Sequence, residues 1–228
     1  MKRVKGSAGA VRALFNRIPR RPGTITTQSY LRLEKQLTTQ SAVTFDVLNN
    51  QGAQTVTEKR LAITDAFQIS ALSIFFYTHN STVANSQEKS RLHSWNNPSV
   101  FAGAGEAASL QGFYNGYLSI RVNSTVFLDS LDIYRFYRAG VAQQGLEQTV
   151  TPTVGTYQAD SWDGGDYGFY SMTPSIELSG ATKNEISISL PSNLTVTPAA
   201  NHRTFVVCYL RGFLQQNAAQ FNSKVGYR

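Results

Sequence analysis

The chain has 228 residues, enough for one sizeable core, and 15% of them are charged, against about 25% in an ordinary globular protein. Its single cysteine, Cys208, excludes an intrachain disulfide framework, and no run of about 18 apolar residues is available for a membrane span. Arg12 and Arg17 interrupt any apolar stretch near the start, so we expect no secretory signal.

The first 23 residues hold the whole positive excess of the chain. The full sequence has 21 Lys and Arg against 14 Asp and Glu, a formal net charge of +7. No acidic residue occurs in positions 1–23, whereas seven basic residues do: Lys2, Arg3, Lys5, Arg12, Arg17, Arg20 and Arg21. The rest of the chain therefore has 14 residues of each sign and is formally neutral, which predicts a separable basic arm.

Four interpretations of this arm stay open. Basic segments neutralise phosphates by counterion release, so the arm suits a coat subunit that faces packaged nucleic acid. It also suits an amphipathic helix on an anionic membrane, because one helix face would collect Val4, Ala8, Val11, Phe15 and Ile18. Pro19 and Pro22 then end this pattern. An Arg-rich transit peptide and a disordered solubilising tail are the other two interpretations.

From residue 41 onward the sequence is typical of a β-sheet protein. Polar and apolar residues alternate in 41–48, 116–137, 175–179 and 184–191. A phase shift near Ser130 indicates a bulge, and the apolar run 203–214 is typical of a central strand. The segment 60–78 contains two strand-like pieces around Asp65. Roughly eight strands with long connections predict an all-β fold, a β-sandwich or a barrel.

Two other segments lack this alternating pattern of polar and apolar residues. Residues 103–116, "GAGEAASLQGFYNG", contain good helix formers bracketed by glycines and predict a short helix. Residues 138–174 have little periodicity and many Gly, Pro, Thr and Asp, which predicts an extended loop.

Candidate metal ligands and catalytic residues are few. The histidines His79, His93 and His202 share no ligand spacing. Asp160, Asp163 and Asp166 recur every third position among glycines, and hard cations favour oxygen-rich loops. This spacing is not that of an EF-hand, so we predict turn and inter-subunit contacts, with a calcium site as the alternative. No nucleophile elbow or phosphate-binding loop occurs, and we predict no enzymatic activity and no cofactor.

The remaining reactive or stacking residues are predicted to serve packing. We expect His93 in a loop and Cys208 as a buried, unreactive thiol among apolar neighbours. Aromatic residues cluster in 74–79, 133–138 and 166–170, where packing is the favoured interpretation. The alternative is base stacking beside Arg135 and Arg138.

Five segments carry a resemblance to a known group. The stretches "YLRLEKQLTTQSAVTFDVLNN" and "EKRLAITDAFQISALSIFFYT", followed by "NNPSVFAGAGEAASLQGFYNGYLSIRVNSTVFLDSLDIYRFYR", look like structural proteins of tailless icosahedral bacteriophages. The closing "KNEISISLP" and "RTFVVCYLRGFL" are similar to the same group. The likeness spans residues 28–215. It implies a jelly roll of two facing four-stranded sheets and no catalytic residues. The chain length fits a single jelly roll with an insertion.

These observations combine into one expected organisation. We predict a basic arm (1–23), a linker or lead-in segment (24–40), a jelly-roll sandwich (41–215) and a C-terminal tail (216–228). The expected function is that of a bacteriophage capsid subunit in the virion. It would assemble with copies of itself and other capsid proteins into an icosahedral shell, with the arm facing nucleic acid or an inner membrane. We expect no small-molecule substrate.

Two other functions stay open. A carbohydrate-binding β-sandwich would use Trp95, Trp162 and Tyr167 as a planar aromatic platform. A glycosidase-like enzyme would use Asp160 and Asp163 as its pair of carboxylates.

Overall fold

Two antiparallel four-stranded sheets face each other in the computed structural model, which describes residues 23–83, 86–138 and 168–219. The strands are β1 (Ile25–Gln36), β2 (Thr39–Phe45), β3 (Ala66–Asn80), β4 (Tyr117–Val122), β5 (Thr125–Asp132), β6 (Tyr170–Ser179), β7 (Asn184–Thr195) and β8 (His202–Gln216). The described residues also form one α-helix, α1 (Glu106–Phe113), and the 3-10 turns Gln87–Ser90 and Ile133–Phe136. Within these residues no helix has the length and apolar character needed to cross a bilayer.

The strand order is that of a jelly roll. The first sheet has the order β1-β8-β3-β6, and the second sheet has the order β2-β7-β4-β5. Strand β1 pairs with β8, β2 with β7, β3 with β6 and β4 with β5. Successive pairs lie in alternate sheets, which is the arrangement of a jelly roll. The predicted all-β sandwich is confirmed.

Strand β1 corrects the prediction of a linker over 24–40. It pairs with β8 from Ile25 opposite Gln216 to Gln36 opposite Phe205. Apolar and polar residues alternate clearly only around Leu31 and Leu33, whose side chains lie in the core. Most side chains of the first half of the strand are exposed. A polar segment exposed on both faces has no period-2 signal, although each of its residues has a partner on β8.

Two further boundaries differ from the sequence analysis. Residues 60–65 lead into β3 and do not form a separate strand. Strand β6 begins at Tyr170, inside the predicted loop over 138–174. Its Pro174 removes a backbone donor, which an edge strand tolerates and a central strand does not. The predicted helix over 103–116 is confirmed as α1.

The core lies between the sheets, and Leu110 and Phe113 of α1 are buried in it. Strand positions that alternate in sequence fill it, for example Ile74 and Phe76 of β3 and Ile186 and Ile188 of β7. The ring of Phe76 meets Phe101, Phe113 and Tyr114 edge to face, with centroid distances of 6.4, 5.3 and 5.3 Å. These contacts fix the helix and the loop before it against the sheet.

Candidate functional site

The residues that the sequence singled out for ionic functions lie outside the described residues. These residues are Lys2, Arg3, Lys5, Arg12, Arg17, Arg20 and Arg21 of the arm, and Asp160, Asp163 and Asp166 of the loop. Trp162 and Tyr167 also lie outside, so the structure places only Trp95 of the suggested sugar platform, and Trp95 is half-buried. The predictions for all of these residues stay predictions.

Two of the described histidines, His79 and His93, pack against aromatic rings. Nowhere in the described ranges do three His, Cys, Asp or Glu side chains lie where they could hold a metal ion together. His93 pairs with Phe76 through the backbone, and its ring meets Phe101 at 5.6 Å. Burial, with a smaller effect of Arg91, lowers the pKa of His93 and favours the neutral imidazole. His79 stacks against Tyr77 and Phe205 at 6.0 and 5.6 Å.

Cys208 lies in the core between β1 and β3, and burial raises the pKa of its thiol to about 12. The thiolate is the reactive form, so at pH 8 only about 1 in 10,000 thiols is ionised. We expect no measurable reaction of the native protein with Ellman's reagent at pH 8 and one equivalent after unfolding in guanidinium. Equally fast reaction before and after unfolding would contradict the burial of this side chain.

Glu34, on the surface of the first sheet that faces away from the core, is the centre of a buried charge network. Its side chain is on β1, and the whole residue is 4% exposed. Four groups point at its two carboxylate oxygens. Arg32 Nε lies 2.6 Å from Oε1, and three hydroxyls donate to the carboxylate: Thr57 at 2.7 Å, Thr55 at 2.6 Å and Tyr77 at 2.6 Å. Burial and the bond to Glu34 raise the pKa of Tyr77.

A second buried ion pair continues this network. Arg60 Nη2 lies 2.8 Å from Glu58 Oε2, and Glu58 accepts the backbone N–H groups of Glu34 at 3.1 Å and Thr55 at 3.2 Å. Arg60 also donates to the carbonyl oxygens of Gln51 and Ala53. Each of these buried residues therefore has an oppositely charged partner, as buried ions require, although the Nε atoms of Arg32 and Arg60 make no hydrogen bond of regular geometry.

The network holds the middle of the β2–β3 connection against β1. Arg32 and Lys59 exchange two backbone hydrogen bonds of 2.9 Å, whereas Val47, Leu48 and Leu61, near the ends of the connection, are buried in the core. Lys59 therefore extends the sheet beyond β1 by one short bridge. The sequence pattern does not indicate this role, because Arg32 and Glu34 alternate along a strand in the way that solvent-facing charges do.

We call the surface of the first sheet that faces away from the core the outer face. Cross-strand partners share a face, so Tyr30 and Arg211 lie in one row of this face and Tyr209 lies in the next. Tyr30 and Tyr209 stack with centroids 5.1 Å apart, and a shallow groove of about 220 Å³ beside them is lined by Gln28, Ser29, Tyr30, Tyr209 and Arg211.

Aromatic rings and cations alternate across the outer face. Phe75 and Phe169 meet Tyr209 edge to face at 6.4 and 5.8 Å. The guanidinium of Arg211 lies 3.8 Å from the ring centroid of Phe169. Lys59 Nζ lies 4.3 Å from the ring centroid of Tyr30 and 3.0 Å from Ser29 Oγ.

The ring of Tyr30 contacts both Lys59 and Tyr209, and the residue is still 41% exposed. The guanidinium of Arg211 lies over the ring of Phe169. The outer face therefore presents cations, hydroxyls and partly exposed aromatic rings.

A second surface lies where the sandwich is open between β5 and β6. These are edge strands of opposite sheets. A mainly apolar cleft of about 240 Å³ is lined by Phe127, Leu128, Tyr170, Met172, Thr173, Pro174, Ser175 and Ile176. Val126 beside it is 44% exposed, and Phe127 and Tyr170 are each 36% exposed. An apolar edge strand is a template for pairing with another chain.

The aromatic cluster around 133–138 combines packing with exposure. Phe136 is fully buried, whereas Tyr134 is exposed and stacks on Tyr137 at 5.4 Å. Arg135 lies 5.7 Å from the ring centroid of Tyr170, at the rim of the β5–β6 cleft. The predicted packing is confirmed for the buried members of this cluster.

Comparison with protein-family models, with curated proteins and with solved structures gave no match to this chain. A proposal for its function therefore rests on the fold and on the two surfaces described above.

Proposed function

We propose that the chain is a structural subunit of a bacteriophage capsid. In this proposal the jelly roll assembles with copies of itself and with other capsid proteins into an icosahedral shell. The basic arm faces packaged nucleic acid or an inner membrane. The chain has no enzymatic role and is located in the virion.

The observation that carries the proposal is the open β5–β6 side of the jelly roll. An exposed apolar stretch of an edge strand is a site at which another chain can pair. Here Val126, Phe127 and Tyr170 expose apolar surface next to a mainly apolar cleft. The low charge of the chain fits a surface that lies against neighbouring subunits. We expect interfaces of the obligate class, which bury more than about 2,000 Å².

A matched pair of variants tests this proposal. Val126→Glu places a charge on the β5 edge, and Val56→Glu makes the same change on the β2–β3 connection, where Val56 is 91% exposed. We expect the wild-type protein and Val56→Glu to sediment as large assemblies and to form particles in negative-stain images. Val126→Glu is expected to remain small, because a charge buried in an apolar interface costs several kcal/mol.

Melting temperatures from thermal unfolding check that both variants are folded. Val126 is already partly exposed, so its replacement is expected to change the melting temperature by only a few degrees. A wild-type protein that stays monomeric at high concentration would contradict the proposal. Equal assembly of the two variants would contradict the role given to the β5–β6 side.

A further inference from the structure

We propose that Tyr117 and Tyr134, two exposed tyrosines that both lie next to Asp132, form a binding site for an uncharged oligosaccharide. The site lies where β5 ends and the 3-10 turn Ile133–Phe136 begins. It goes beyond the proposed capsid function, because none of these three residues lines the β5–β6 cleft and no assembly is needed for a sugar to bind there.

The first argument is the ring of Tyr134, which is flat, exposed and held from behind. Tyr137 donates its backbone N–H to the carbonyl oxygen of Tyr134 at 3.0 Å, and side chains three residues apart lie above one another in a 3-10 turn. The two rings therefore stack, with centroids 5.4 Å apart and an angle of 5° between their planes. Tyr134 is nevertheless 51% exposed, and within the described residues no second ring or cation lies over it. The ring face directed away from Tyr137 is therefore available to a ligand.

Tyr137 connects this ring to the core of the sandwich. It meets Tyr114 edge to face at 5.0 Å, and Tyr114 meets Phe76 in the same way at 5.3 Å. The hydroxyl of Tyr137 also donates to Asn96 Oδ1 at 3.3 Å. An aromatic ring that is held in place before binding loses little conformational entropy when a ligand stacks on it, which favours binding at Tyr134.

The second argument is the carboxylate of Asp132 beside both tyrosines. Asp132 is opposite Tyr117 in the pairing of β4 with β5, and cross-strand partners share a face of the sheet. Its Oδ1 accepts the backbone N–H of Tyr134 at 2.9 Å and caps the turn. Its Oδ2 accepts no hydrogen bond from the described residues, and Asp132 is exposed, as is Tyr117 at 48%. This second oxygen can accept a hydrogen bond from a ligand hydroxyl.

An amide side chain lies at the same end of the β4–β5 hairpin. Ile133 donates its backbone N–H to the carbonyl oxygen of Gly116 at 3.2 Å. Asn115 and Tyr134 are each one residue from this hydrogen bond, and both are exposed. An amide donates and accepts hydrogen bonds, as sugar hydroxyls do. Ring, carboxylate and amide together suit a pyranose, whose C–H groups pack on an aromatic face while its hydroxyls bond polar groups.

The third argument is the local charge, which favours an uncharged ligand over nucleic acid. The segment 129–138 holds two acids and two bases and is formally neutral: Asp129, Asp132, Arg135 and Arg138. Arg135 lies 5.7 Å from the ring centroid of Tyr170, whereas Asp132 is bonded to the backbone of Tyr134. Bases stacked on Tyr134 would bring phosphates toward the Asp132 carboxylate, and like charges repel. A neutral sugar meets no such repulsion.

The test uses the full chain and four neutral hexasaccharides: cellohexaose, mannohexaose, N-acetylchitohexaose and maltohexaose. Saturation-transfer difference NMR detects binding to single subunits and to large assemblies alike, and titration gives the Kd. We expect at least one hexasaccharide to bind with a Kd of about 0.1–1 mM, because the site is on an open surface. The strongest saturation transfer is expected at the C–H protons of one sugar face, because these protons lie against the tyrosine ring.

Tyr134→Ala is expected to weaken the binding of this hexasaccharide about tenfold, because the stacking face is lost, whereas Tyr134→Phe is expected to stay within about threefold of the wild type. Tyr30→Ala is the matched control. It removes a tyrosine of the first sheet that is 41% exposed and is also stacked on a second tyrosine, and we expect unchanged binding. Asp132→Asn keeps a good cap for the turn but removes the carboxylate, which is expected to weaken binding about tenfold. Thermal unfolding checks that each variant is folded.

Several results would overturn the inference. One is a wild-type protein that binds none of the four hexasaccharides at about 10 mM. Another is equal loss of binding in Tyr134→Ala and Tyr30→Ala. Fluorescent oligothymidine is the second probe: binding that Tyr134→Ala weakens and Asp132→Asn strengthens would assign the ring to nucleic-acid bases instead. A change in sedimentation of Tyr134→Ala without any sugar binding would assign Tyr134 to contacts between copies.

Discussion

Gly212→Ala is expected to lower the free energy of unfolding by more than about 4 kcal/mol or to prevent folding altogether. Gly212 lies on β8, the strand between β1 and β3 in the first sheet. A Cβ atom there would lie 1.8 Å from the carbonyl oxygen of Gln68 and 3.2 Å from Ile69 Cα, both in the backbone of β3. Backbone atoms cannot rotate out of the way as a side chain does, so the two strands would have to separate.

This contact arises at an irregularity in β3. The pairing of β3 with β8 shifts between Ile69 and Ala71, and Ser70 is the extra residue. A bulge brings backbone atoms closer than regular pairing does, and glycine is the residue that such an approach allows. Urea unfolding followed by circular dichroism measures the effect.

Gly112→Ala is the matched control for Gly212→Ala. Gly112 lies in α1, and a Cβ atom there would meet Leu194 Cδ1 at 3.4 Å, the far end of a flexible side chain. Because alanine favours the helix over glycine by about 1 kcal/mol, we expect unchanged or slightly higher stability. Wild-type stability in Gly212→Ala would show that β3 and β8 do not approach each other as described.

The alternation of polar and apolar residues predicts most strands of this fold. In β4 and β7 one face lies on the core and the other does not, so the period-2 pattern is visible in the sequence. The pattern fails for the first half of β1, because few of its side chains there reach the core. Its pairing with β8 depends on backbone hydrogen bonds and on the jelly-roll topology. A local pattern of polar and apolar residues does not encode either of these.

The sequence pattern predicts the candidate surfaces less well than it predicts the strands. Charges at Arg32 and Glu34 indicate a solvent-facing strand. They are buried because parts of the chain distant in sequence contact them, namely Thr55 and Thr57, Tyr77 of β3 and the carbonyl oxygen of Lys89. Similarly, Lys59 and Arg211 are 152 positions apart in the numbering and approach the same groove only through the pairing of β1 with β8. Contacts of this kind depend on topology.

Glu34→Gln is expected to lower the free energy of unfolding by about 3 kcal/mol or more, because a buried arginine loses its counter-charge. Arg32 Nε and three hydroxyl groups converge on the two carboxylate oxygens of Glu34. Glutamine has the same shape but only one acceptor oxygen, and its NH₂ group would face donors. The matched control is Glu185→Gln, at a half-buried position on β7, where we expect a change below about 1 kcal/mol.

A double-mutant cycle with Tyr77→Phe separates the network from simple loss of packing. Tyr77 donates to Glu34 at 2.6 Å, so its hydroxyl contributes only while the carboxylate accepts the bond. We expect Tyr77→Phe alone to cost about 1–3 kcal/mol, since it leaves a buried charged acceptor without this donor. In the Glu34→Gln background the same change is expected to cost less than about half as much, because the acceptor charge is already absent. Additive effects in the urea-unfolding free energies would mean that the two residues stabilise the sandwich independently, and that the covering segment is not held by a connected charge network.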